Sequence, residues 1–218
     1  MRRESGIAPD GSPVALYARL PPLGEAELIH EAVPAGAEIL ELGAGAGRVT
    51  RPLLALGHAV VAVDNSEEML ELIEGAETVL ADIATLELGR RFPVVVLASN
   101  FVNHPDDAER RAFLAACARH VLPDGHVLLQ GFPRDWAPST EWSEHGGVRL
   151  RLRSFTLEGS RVAGEMEYVV DGRRLVHQFE SRLLSSAELD ADLRAVGLHR
   201  VRELDDRGSW IEAAPRGS

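Results

Sequence analysis

Three glycines at alternate positions, Gly43, Gly45 and Gly47, lie in the segment Glu41-Leu42-Gly43-Ala44-Gly45-Ala46-Gly47-Arg48. With no β-carbons where a strand gives way to a helix, a ligand can approach the main chain closely. A dinucleotide fingerprint, Gly-x-Gly-x-x-Gly, counted from Gly43 requires its third glycine at position 48. Arg48 stands there, so hydride chemistry on nicotinamide or flavin loses its best motif. Glu41, two residues before the first glycine, is poorly placed beside a pyrophosphate and well suited to an ammonium group. Asp64 follows Gly47 by 17 residues, ends a second apolar run, and can accept both hydroxyls of a ribose. Asp82 ends a third run and, with Ile83, offers an acceptor and an apolar wall to a flat base such as adenine.

Residues with these roles must be presented by strand ends. The first two-thirds of the chain supply them by alternating short β-branched runs with helical patterns. Strands are predicted at 38–42, 58–64, 78–82, 92–98 and 126–130. Helices are predicted at 47–56, from Ser66 to near Gly75, and at 107–120, where Phe113, Leu114, Cys117 and Val121 share one face. The apolar run at 92–98 suits a strand covered on both faces. Such alternation implies parallel pairing through right-handed crossovers, hence a three-layer α/β sandwich. After Gly131 the pattern changes. Residues 132–147 read as a loop carrying Trp136 and Trp142, and three strand-like runs at 148–157, 161–170 and 173–184 read as an antiparallel meander joined by Glu158-Gly159-Ser160 and Asp171-Gly172. Ser186 is placed to cap a helix to about Val196, with two last strands near 199–204 and 209–213. The chain therefore reads as one domain over 1–218, with 132–184 as a loop and β insert acting as a lid or a dimer surface.

The chain has 218 residues, enough for one sizeable core. Acids outnumber bases 34 to 23, a formal charge of −11, which disfavours a general nucleic-acid binder. All the bases are arginine, and Cys117 is the lone cysteine, which excludes an internal disulfide and a cysteine-based zinc site and fits the cytoplasm. No metal site is expected. The opening residues run into Pro9-Asp10-Gly11-Ser12-Pro13, unlike a signal peptide, and no apolar run approaches the roughly 20 residues that span a bilayer.

Over roughly residues 36 to 130 the chain resembles the class I S-adenosylmethionine-dependent methyltransferases. The matching features are the glycine motif from Glu41 to Gly47, the acids Asp64 and Asp82, the fourth-strand segment 94–100, and the Pro123-Asp124-Gly125 turn. The resemblance implies a doubly wound, seven-stranded, mostly parallel sheet of order 3-2-1-4-5-7-6 with the seventh strand antiparallel. It also points to the small-molecule members with an antiparallel β insert after strand five. S-adenosylmethionine is the implied cofactor, held by Glu41, Gly43, Ala44, Gly45, Asp64, Asn65, Met69, Asp82, Ile83 and Asn100. Tyr17 resembles a tyrosine that reaches the methionine carboxylate. The implied reaction moves a methyl group to an oxygen or nitrogen of a small-molecule acceptor.

His104, just beyond the fourth strand in Asn103-His104-Pro105, is the candidate general base. His145, His177 and Tyr168 read as structural. Arg149, Arg151 and Arg153 alternate with leucines and read as a solvated or subunit-facing surface, and Trp136 and Trp142 as walls of the acceptor site. A homodimer through the insert is a further expectation. Two rival readings are a cofactor-binding regulator without turnover and an NAD(P)-dependent reductase.

Overall fold

Glycines and caps, more than helix propensity, decide where each element of this chain begins and ends. The structure is a computed structural model that describes residues 6–9, 11 and 13–217. In chain order the elements are α1 (Val14–Tyr17), α2 (Glu25–Ala32), β1 (Glu38–Leu42), α3 (Thr50–Ala55), β2 (Ala59–Asp64), α4 (Glu67–Leu70), β3 (Glu77–Leu80), β4 (Phe92–Leu97), α5 (Asp107–His120), β5 (Val121–Gln130), β6 (Ser143–His145), β7 (Val148–Glu158), β8 (Arg161–Val170), β9 (Arg173–Arg182), α6 (Ser186–Ala195), β10 (Leu198–Glu203) and β11 (Trp210–Pro215). Short 3-10 turns cover Ile83–Thr85 and Phe101–Asn103.

Seven strands form one sheet in the order β3-β2-β1-β4-β5-β11-β10. Numbered by their place in that sheet this is the expected 3-2-1-4-5-7-6, and β11 pairs antiparallel with both neighbours. Both faces are apolar because parallel strands carry helices on each side. Leu40, Leu42, Val95 and Leu97 face one core with α5 and α6, while Ile39, Val94 and Val96 face another with α2 and α3. By the same alternation Glu41 shares the face of Ile39, which is why a carboxyl group ends up in an apolar layer.

Several boundaries differ from the sequence expectation. α3 starts at Thr50 instead of 47, because Gly43, Gly45 and Gly47 have φ of +74°, +54° and +78°, values that no right-handed helix admits. Helix α4 ends at Leu70, since Leu72 and Ile73 bond three residues back, tightening the chain before Gly75. β3 stops at Leu80, so Asp82 lies two residues past its end. β5 extends back to Val121, and the register shift opposite Phe92 and Val94 carries Pro123-Asp124-Gly125 through as a bulge. The cap of α6 is Ser185, not Ser186, with Glu188 completing a reciprocal capping box. Helices α1 and α2 carried no sequence expectation.

Strands β6-β7-β8-β9 make a second, antiparallel sheet. Its inner face brings Val148, Val170, Leu150, Tyr168 and Leu175 against Leu16, Tyr17 and Leu20 around α1. On its outer face the guanidinium carbons of Arg149 and Arg151 lie over the ring of Trp142, 4.8 and 4.6 Å from its centroid. Arg151 pairs with the fully buried Glu167 at 2.7 Å. Trp142 therefore packs on the face opposite Tyr168. Trp136 instead stacks near Phe132 and lines a cavity of about 140 Å³ with Asn103, Leu184 and Ile211.

Candidate functional site

The strand ends β1, β2 and β4 meet at one edge of the main sheet, and the turn after β1 folds onto the end of β2. The amides of Gly43 and Ala44 both donate to the carbonyl of Val63, at 2.8 and 2.9 Å. The amide of Gly45 donates to Oδ2 of Asp64 at 2.8 Å, and the amide of Ser66 donates to Oδ1 at 2.9 Å. Asp64 is thus a partly exposed carboxylate whose two oxygens are each oriented by a backbone donor. The amide of Ala81 donates to the Asp64 carbonyl, which brings the start of the Asp82 turn alongside. Asp82 is exposed and caps the 3-10 turn by accepting from Ala84 at 2.7 Å, while Ile83 is buried behind it.

Glu41 is 2% exposed, and its Oε2 accepts the hydroxyl hydrogen of Thr50 at 2.6 Å. Burial raises its pKa to about 7, against the pull of Thr50 and Arg48 and with help from Asp64 and Glu25. A carboxyl group tuned to neutrality ionises readily when a cation arrives beside it. Arg48 leaves the same turn and pairs with the buried Glu25 of α2, and its Nη2 lies 3.4 Å from Oγ of Ser99. The Arg48–Glu25 link and Thr50 were missed by sequence reasoning. A basic residue directly after the last glycine was their visible signal.

Met69 is buried, with its sulfur 3.7 Å from where a Cβ on Gly45 would stand. It clusters with Ala8, Ala46, Val14, Tyr17 and Ala18, so the N-terminal segment folds over the glycine turn and brings Tyr17 to it. Asn65 is exposed between Asp64 and Ser66. After β4, Ser99 and Asn100 have φ of +57° and +61°, a strained pair of non-glycine residues above the same edge. Asn100 accepts the amide of Asn103 on its carbonyl, and its side chain caps nothing. Asn103, buried and also missed, donates to the carbonyl of Arg182 at 2.7 Å and accepts the amide of Phe132 at 3.0 Å, tying the β4 exit to the end of the insert and the start of the loop.

His104 is drawn into the start of α5. Its Nδ1 accepts the amide of Asp106 at 3.2 Å, and its ring stands edge-on to Phe113 at 5.6 Å. Phe113 in turn meets Phe101 at 5.5 Å, and Phe101 is the ring that a Cβ on Gly43 would strike. Two phenyl rings therefore separate His104 from the glycine turn.

The donor set fits an adenosyl sulfonium: a tunable acid for an ammonium, a fixed carboxylate for ribose hydroxyls, and an acid with an apolar neighbour for adenine. Residues 39–125 match the family model described as a methyltransferase domain. The chain is 32% identical over 119 residues to the cypemycin N-terminal methyltransferase of a Streptomyces species, a match covering 51% of this chain and 46% of that protein. It is 30% identical over 112 residues to the ubiquinone biosynthesis O-methyltransferase of Bradyrhizobium diazoefficiens, covering 46% and 42%. Each match spans less than half the length of the relative. In fold, the whole chain is similar to the CcbJ methyltransferase of Streptomyces caelestis, with a TM-score of 0.75 and 21% identity over 94% of this chain and 96% of that one. DesVI of Streptomyces venezuelae gives 0.70 and 22% over 93% and 92%.

Proposed function

We propose that this chain transfers the methyl group of S-adenosylmethionine to an oxygen or nitrogen of a small-molecule acceptor. The observation that carries the reading is Asp64, held by the amides of Gly45 and Ser66 at the tip of β2 beside three left-handed glycines. When bound, the cofactor supplies a methyl group already made electrophilic by its sulfonium sulfur. Asp64 would accept the ribose hydroxyls, Glu41 would face the ammonium, Asp82 and Ile83 would flank the adenine, and Tyr17, Asn65, Met69 and Asn100 would close the walls. The chain's main task is alignment, an effect worth roughly 7–11 kcal/mol in favourable systems. That exceeds the 10²–10⁴-fold typical of a general base.

In this reading the inner face of the β insert roofs the acceptor. A homodimer through the insert is also part of it, supported by β9 lying at a sheet edge and by exposed Phe155 and Leu157. The cytoplasm is the proposed location, consistent with a single buried thiol, Cys117. The test is turnover: labelled methyl from S-adenosylmethionine appearing in members of a panel of amines, amino sugars and phenols supports the assignment. Tight cofactor binding with no transfer to any of them would favour a regulator.

A further inference from the structure

Tyr17 belongs to two side-chain clusters at once. It packs with Ala46 and Met69 beside the glycine turn, and with Leu150, Tyr168 and Leu175 of the insert. On β9, Leu175, His177 and Phe179 alternate with the more exposed Arg174, Val176 and Gln178, which places His177 on the inner face. There it lies opposite Met166, which itself lies opposite Leu152, and its ring stands edge-on to Tyr17 with centroids 6.3 Å apart. His177 is half-buried, and among the described residues its ring nitrogens make no hydrogen bond or ion pair. A single aromatic ring therefore separates an uncommitted imidazole from the cofactor turn, whereas His104 is committed to Asp106 behind two rings.

We propose that His177 takes the proton of the acceptor's hydroxyl or amine, on the inner face of the insert beside Tyr17. The acceptor's lone pair forms the new bond to the methyl carbon. The carbon–sulfur bond breaks with its electron pair left on sulfur, and the proton moves from the acceptor to His177 and on to solvent. The flanking surface of Leu152, Met166 and Tyr168 suits the apolar part of such a molecule. The titratable groups that face His177 are Tyr17 from α1 and Tyr168 from β8, whose phenol burial keeps protonated; Arg48, paired with Glu25, acts on Tyr168. This assignment rests on the methyl-transfer reading.

The test needs no knowledge of the acceptor. Imidazole signals of the full chain are followed by NMR against pH, first with S-adenosylhomocysteine and then with sinefungin, which places an ammonium where the transferable methyl stands. The His177 signal is assigned by its loss in His177→Gln, or by contacts to Tyr17 protons should that variant fail to fold. A cation within about 7 Å of an imidazole, at an effective dielectric of about 20–40, lowers its pKa by roughly one unit. The expected result is that His177 titrates at least about half a unit lower with sinefungin than with S-adenosylhomocysteine, while His104 moves by less than about 0.2. The same His177 titration in both complexes, or a larger response at His104, overturns the proposal. Failure of both ligands to bind overturns the cofactor reading itself, a separate and recognisable outcome.

Discussion

Gly45 and Asp64 are joined across the tips of β1 and β2 by a 2.8 Å hydrogen bond from the Gly45 amide to Oδ2. With Ser66 on the other oxygen, the carboxylate is oriented before any ligand arrives, so little ordering is left for binding to supply. Asp64→Ala is expected to weaken S-adenosylhomocysteine binding by roughly 100-fold or more and to cost about 1–3 kcal/mol of stability through the two orphaned amides. Calorimetry and thermal melting check the two parts separately. Unchanged affinity in the variant would remove the ribose assignment.

Cofactor affinity is expected to depend on pH through Glu41. Its folded pKa of about 7 lies above the ordinary 4.5, so the folded chain holds a proton that the unfolded chain releases between those values. Stability should therefore fall as pH rises through that window, by about 3 kcal/mol in all. An ammonium beside Glu41 favours its ionised form, so affinity should rise towards pH 8 and binding near pH 6 should release protons. Calorimetry in buffers of different ionisation enthalpy measures this release. Glu41→Gln should flatten both profiles.

Gly43→Ala should be strongly destabilising for two reasons: a left-handed φ of +74°, and a methyl group driven into the ring of Phe101. Shortening the ring in Phe101→Leu relieves the second and leaves the first. The double variant should accordingly lose less than the sum of the singles by about 1 kcal/mol or more, measured by denaturant unfolding.

His104→Ala should lower stability by about 1 kcal/mol, through the lost contacts at the start of α5, and leave methyl transfer within a few-fold of native. A loss of a hundredfold in turnover at unchanged cofactor affinity would return His104 to the chemistry.

How much of this was legible in the sequence follows from how local each signal is. The parallel, three-layer α/β character followed from strand–helix alternation, the strand order from the resemblance to the methyltransferases, and the glycine turn with Glu41 and Asp64 from spacing. Those features depend on neighbours in sequence. The partners that hold them do not. Thr50 against Glu41, Arg48 against Glu25, and Asn103 against Arg182 join segments that only the fold brings together. On the insert, the alternation of Arg149, Leu150 and Arg151 was visible in the sequence, but the packing of Trp142 against the two arginines was not. His177 was set aside because nothing near it in sequence hints that Tyr17, 160 residues earlier, folds beside it.

The most direct measurement is a crystal structure of the chain soaked with S-adenosylhomocysteine. The ribose should lie on Asp64, the amino group near Glu41 and the adenine beside Asp82 and Ile83. Density for the ligand away from the ends of β1, β2 and β3, with those carboxylates contacting only protein, would contradict the account.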